Sequence, residues 1–177
     1  MFDLELIGEI GIPESELQQI ARLICEQEDP LHDYRISLKI VDSEEMQKLN
    51  RVYRGKDETT DVLSFVSEDI EMGWIPSSAG MTIGVDSITK ESNSTSQIEN
   101  EGLNLPIRLC DIIVDTKQLV KQKGNRTFND EFRFVFIHGL LHLVGYDHVR
   151  SRDSEEMRNK ENIYLKQLQG EKISGRR

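Results

Sequence analysis

Three of the four histidines in this 177-residue chain fall in one short stretch, His138-Gly-Leu-Leu-His142-Leu-Val-Gly145-Tyr-Asp-His148. That stretch overlaps the longest apolar segment, which runs from Phe132 to Val144. Such a run predicts a buried helix, with Asn129 or Asp130 as its N-cap and Gly145 as the left-handed residue past its end. Residues four apart on a helix share a face, so His138 and His142 can point at one metal ion. Glycine accepts a positive φ without a Cβ clash, so Gly145 lets the chain turn and bring His148 to the same point. Three neutral imidazoles with one open position describe a catalytic zinc site, whereas a structural site would normally carry a fourth ligand. A shuffled chain with four histidines gives this spacing about once in a thousand times, so unrelated helix histidines are a poor account of it. His32, in the acidic loop 30–33, is expected to be a surface residue.

The spacing resembles that of the metzincin proteases, with one difference that bears on the chemistry. In H-E-x-x-H the glutamate after the first histidine is the general base. Here that position is Gly139. Peptide hydrolysis therefore becomes the lesser alternative, and the metal is expected to work as a Lewis acid or through a bound water of lowered pKa.

The rest of the chain predicts a mixed α and β domain. Ile36, Leu38 and Ile40 alternate with polar residues as in a half-buried strand. Segments 61–65 and 108–114 form two more strands, and 2–7 a weaker one. Helices are expected after Pro13 (Leu17, Ile20, Ala21, Ile24), after Asp42 or Ser43 (apolar side Met46, Leu49, Val52), over 116–123 with a stop at Gly124, and over 154–169. The last of these places Met157, Glu161, Tyr164, Leu165 and Leu168 on one side. Residues 71–105, rich in Gly, Ser and Asn, fit a flexible insert, and 171–177 a frayed tail, leaving one domain over 1–170. The two cysteines, Cys25 and Cys110, exclude a disulfide framework and fit a reducing cytoplasm. No segment approaches the ~20 apolar residues of a membrane span, and the opening lacks a signal peptide's basic region. The net charge of −10 excludes a protein that holds nucleic acid by bulk charge, so any such role needs a local positive site.

A second motif lies upstream, Asn50-Arg51-Val52-Tyr53-Arg54-Gly-Lys56-Asp57-Glu-Thr-Thr60-Asp61-Val-Leu-Ser64-Phe65. Lys48, Arg51, Arg54 and Lys56 gather at a helix end, where they suit either the helix dipole or a phosphate. Together the two motifs resemble the YbeY family of bacterial single-strand-specific endoribonucleases. Residues 138–148 match its H-G-x-L-H-L-x-G-Y-D-H, and residues 50–65 its upstream pattern. The family usually has glycine where this chain has Cys110, taken here as a core residue, and a much shorter link after Phe65.

The resemblance implies an α+β fold, with a mixed, mostly four-stranded sheet against helices and the metal helix central. It implies one zinc ion on His138, His142 and His148, with Arg54 engaging phosphate. The implied role is maturation of ribosomal RNA (16S 3′ end) and ribosome quality control. Partners would then be single-stranded or ribosomal RNA and the ribosome or its small-subunit proteins, with no membrane. Asp147 is expected to hold a ligand histidine rather than serve as base, and Asp61 and Ser64 to cap or orient backbone. Two alternatives stay open: a zinc hydrolase of another bond class, and a non-catalytic ribosome-associated zinc module.

Overall fold

The computed structural model describes residues 2–66, 107–146 and 151–174. The expected insert at 71–105, Asp147 and His148 fall outside the described residues. Strand β1 (Phe2–Ile7) leads to helix α1 (Glu14–Glu28), strand β2 (Asp33–Val41), helix α2 (Ser43–Arg54) and strand β3 (Val62–Val66). Strand β4 (Ile107–Asp115) is followed by helices α3 (Thr116–Gln122), α4 (Phe128–Leu143) and α5 (Ser151–Ser174). The strands form one mixed four-stranded sheet in the order β1-β2-β4-β3, packed with the helices in an α+β fold. β1 and β4 run parallel to β2, and β3 pairs antiparallel with β4.

Because strand side chains alternate between faces, the pairing register sorts the residues into two layers. Leu4, Ile36 and Cys110 stand side by side across the sheet and share a core with Val62, Ile112 and Val114. Leu17, Ile20 and Ile24 of α1 and Phe132, Phe136 and Leu140 of α4 close over that face. The opposite face presents Val41, Leu63 and Ile113 to Met46 of α2, in a smaller cluster. α4 is buried on nearly every side, as a helix apolar all round must be. Fully burying a side chain such as Phe136 contributes roughly 1.5–3 kcal/mol. Cys110 is a core residue, 3% exposed.

Several local expectations need correction. The N-cap of α4 is Thr127 rather than Asn129 or Asp130, because its hydroxyl accepts from the Asp130 amide at 3.1 Å and donates to the Asp130 carboxylate at 2.6 Å. α5 opens at Ser151, a turn before Ser154, and continues to Ser174 through residues expected to fray. Val52 is 71% exposed. A step of six residues from Met46 drifts off the helical period, and Tyr53, seven residues on, takes the sheet-facing place beside Phe65. His32 is not simply on the surface: its Nδ1 lies 2.8 Å from the Asp29 carboxylate, which also accepts from Tyr34 Oη and pairs with Arg108.

Candidate metal centre

α4 ends in the turn that the sequence predicts. The Gly145 amide donates to the His142 carbonyl at 3.1 Å and the Tyr146 amide to the Leu141 carbonyl at 2.9 Å, with Gly145 at φ +99°. These are the two bonds of a Schellman stop, and the positive φ explains the glycine. One turn earlier, His138 and His142 meet edge-on, with Nε2 atoms 3.1 Å apart. The Nδ1 atom of each ring has its own acceptor. For His138 it is the Glu161 carboxylate at 2.7 Å, and for His142 the Tyr146 carbonyl at 2.9 Å.

Those acceptors assign the tautomers. With a proton on each Nδ1, both Nε2 atoms turn lone pairs toward the same point, which suits a cation between them. Two imidazoles bound to one tetrahedral zinc at ~2.0–2.1 Å stand about 3.3 Å apart, close to the spacing found. The donor set therefore fits a metal that prefers nitrogen. Among the described residues no group of three or more His, Cys, Asp or Glu side chains converges as a cation site. His148, the third expected ligand, lies outside them.

Glu161 was legible only as an anomaly, an acid in the apolar stripe of α5. It is 6% exposed, and its bond to His138 spans 23 positions. A carboxylate at Nδ1 of a ligand histidine fixes ring orientation and raises its basicity. Tyr146 is anchored in turn by Glu28, the last residue of α1. The Glu28 carboxylate accepts from Tyr146 Oη at 2.6 Å, from Lys160 Nζ at 2.8 Å and from Tyr164 Oη. Burial pushes this carboxyl up, but the bonds from Lys160, Tyr146 and Tyr164 outweigh that and hold it below the usual range.

Gly139 has a packing reason. A Cβ there would stand 3.0 Å from Ser64 Oγ and 3.4 Å from the side chains of Ile112 and Val62. A side chain at 139 would therefore enter the sheet rather than the histidine cleft. Ser64 does not orient backbone among the described residues, where its buried Oγ has no hydrogen-bond partner.

The upstream motif is largely occupied in holding its own loop. Asn50, 2% exposed, donates to the Glu58 carbonyl at 2.8 Å. Thr59 donates to buried Asp115, which also caps α3 through the amides of Lys117 and Gln118. Asp61 accepts from the Val62 amide and from Gln122, as expected for a backbone-orienting residue. Arg54 is the exposed last residue of α2, which packs on the sheet face opposite α4, and no described contact joins it to either histidine. Both helices nevertheless flank β3, one of the two edge strands. On the α2 face, Asp111 is half-buried opposite Phe65, and burial pushes its carboxyl up to about 6.

A cleft of about 320 Å³ opens beside His138, between α4, α5 and the residue before β3. His138, Glu161, Asp61 and Arg158 are among the residues that line it.

The sequence profile described as Endoribonuclease YbeY matches residues 8–169. The Staphylococcus aureus proteins of that name, in strains JH9 and Newman, are 29% identical over 171 residues, covering 93% of this chain and 95% of theirs. The solution structure of TM1509 from Thermotoga maritima superposes with a TM-score of 0.50 at 26% identity, over 99% of this chain and 94% of that one.

Proposed function

Because the chain belongs to the endoribonuclease YbeY family, we propose that it is a zinc-dependent, single-strand-specific endoribonuclease. Its role would be maturation of ribosomal RNA at the 16S 3′ end and ribosome quality control, in the cytoplasm and with the ribosome or its small-subunit proteins as partners. No helix among the described residues is long and apolar enough to cross a membrane. The observation that carries the zinc assignment is the facing pair of Nε2 atoms, each backed by an acceptor at Nδ1.

His138 and His142 would hold the ion through Nε2, with His148 as third ligand. Zinc bound there supplies Lewis acidity to a phosphoryl oxygen. Glu161 and the Tyr146 carbonyl keep the two rings oriented and strengthen them as ligands. Arg54 would fork onto a second phosphate oxygen, which a planar guanidinium does better than a lysine. Exposure at the end of α2 leaves its guanidinium available to a strand lying along the β3 edge. The net charge of −10 implies weak, salt-sensitive binding to free RNA, which favours recruitment by a ribosomal partner. The peptidase alternative lacks support at residue 139, where a glutamate would have to enter the sheet.

The test is cleavage of a single-stranded ribosomal RNA fragment by wild type and Arg54→Ala protein carrying equal zinc. Cleavage by wild type alone supports the nuclease and the role of Arg54. Cleavage by neither shifts weight to a non-catalytic ribosome-associated module. Equal cleavage by both removes Arg54 from the mechanism.

A further inference from the structure

The cleft beside His138 has a charge pattern that the histidine pair does not require. Its two carboxylates are already engaged, Glu161 by His138 and Asp61 by the Val62 amide, Thr60 and Gln122. Arg158 lines the same cleft from α5, three residues before Glu161, and is exposed. No described ion pair or hydrogen bond engages it, although the chain as a whole has ten more acids than bases. The remaining wall is Phe134 and Val135 of α4 with Ser154 and Met157 of α5, of which Val135 and Met157 are almost wholly buried and Phe134 is half-buried. The Arg126 guanidinium stacks 4.8 Å over the Phe134 ring and, held by Glu131, steadies that wall.

Resting on the endoribonuclease reading, we propose that this cleft is a single-nucleotide subsite next to the reacting phosphate. Arg158 contacts a backbone phosphate, and the base lies against Phe134. A guanidinium with no partner among the described residues, across a cleft from a half-buried aromatic ring, is what a phosphate-bearing aromatic ligand needs. The volume, about 320 Å³, lies at the small end of the range for ligand sites, so it admits one splayed-out base and excludes a duplex. Only a single strand presents a base in that way.

The test uses zinc-loaded protein and a short cleavage-resistant single-stranded RNA (2′-O-methyl, phosphorothioate), with binding followed by fluorescence polarisation from ~50 to ~200 mM salt. Arg158→Gln should weaken binding roughly 3–10-fold at low salt and reduce the slope of log Kd against log salt by ~0.7, the value for one phosphate contact on a single strand. Arg158→Lys should keep most of the slope. Removing the base at one position of the RNA should cost wild type roughly 5–100-fold in affinity. An unchanged Kd and slope in Arg158→Gln, with wild type binding normally, removes Arg158 from the interface. Indifference to an abasic residue at every position removes the base seat. A wild type that binds no RNA overturns the nuclease reading itself, and the subsite with it.

Discussion

The histidine helix and the upstream loop are the two strongest motifs in this sequence, and the fold uses them differently. On α4, polar side chains converge on a point: two Nε2 atoms 3.1 Å apart, each ring braced from behind. In the upstream motif, from α2 into the loop after it, polar side chains diverge into the protein's own backbone and side chains. Asn50 holds the Glu58 carbonyl, Thr59 holds Asp115, and Asp61 caps the start of β3. Motif strength alone therefore does not separate chemistry from scaffolding. The distinguishing feature is whether the hydrogen-bonding capacity is spent internally or left facing a cleft.

This contrast can be broken most sharply at His142. His142→Ala should abolish tight zinc binding and reduce RNA cleavage by ~1000-fold or more, while circular dichroism stays near wild type; retained zinc at unit stoichiometry would sink the metal assignment. Glu161→Gln should leave the ligands present but loosen them. Zinc affinity by chelator competition should fall ~10–100-fold, and unchanged affinity would make Glu161 a packing residue only. The loop should respond in the opposite sense. Asn50→Ala is expected to cost about 1–3 kcal/mol in denaturant unfolding, since it leaves the Glu58 carbonyl unpaired, with zinc affinity unaltered. A large loss of zinc in that variant would show that the two motifs are coupled.

The smallest expected effect lies on the α2 face, at Asp111. Burial raises its folded carboxyl to about 6, above the usual unfolded value of ~3.9. Between those two values the folded state holds the extra proton, so stability should fall as pH rises from about 4 to about 6. Asp111→Asn should flatten that part of the pH–stability curve. At pH 7 it should gain about 1 kcal/mol, a discounted figure because the carboxyl still touches water. An unchanged curve would mean that Asp111 is solvated.

The sequence reading recovers the order of strands and helices, the central helix and its glycine stop because each depends on near neighbours. A cap, a turn residue and a 3.6-residue period act within a few positions, as do the amides of Gly145 and Tyr146 on the His142 and Leu141 carbonyls. It errs where rotation about a helix axis matters, as at Val52, and where a hydroxyl earlier than expected takes the cap, as at Thr127. Glu161 and Glu28 stay hidden because their partners are 23 and 118 positions away, joining α5 to α4 and α1 to the end of α4.

The sequence by itself thus determined that two imidazoles occupy adjacent turns of one buried helix, with a sharp stop after them. Tertiary structure decided which nitrogens face each other, by supplying Glu161 and the Tyr146 carbonyl as the acceptors that orient the rings. It also decided that residue 139 faces the sheet, and that Arg158 lines the cleft beside His138 while Arg54 ends a helix packed on the other sheet face. The reason is physical. Local geometry follows from backbone sterics and nearby hydrogen bonds, whereas these pairings exist only once a packed core sets the rotation and separation of whole elements.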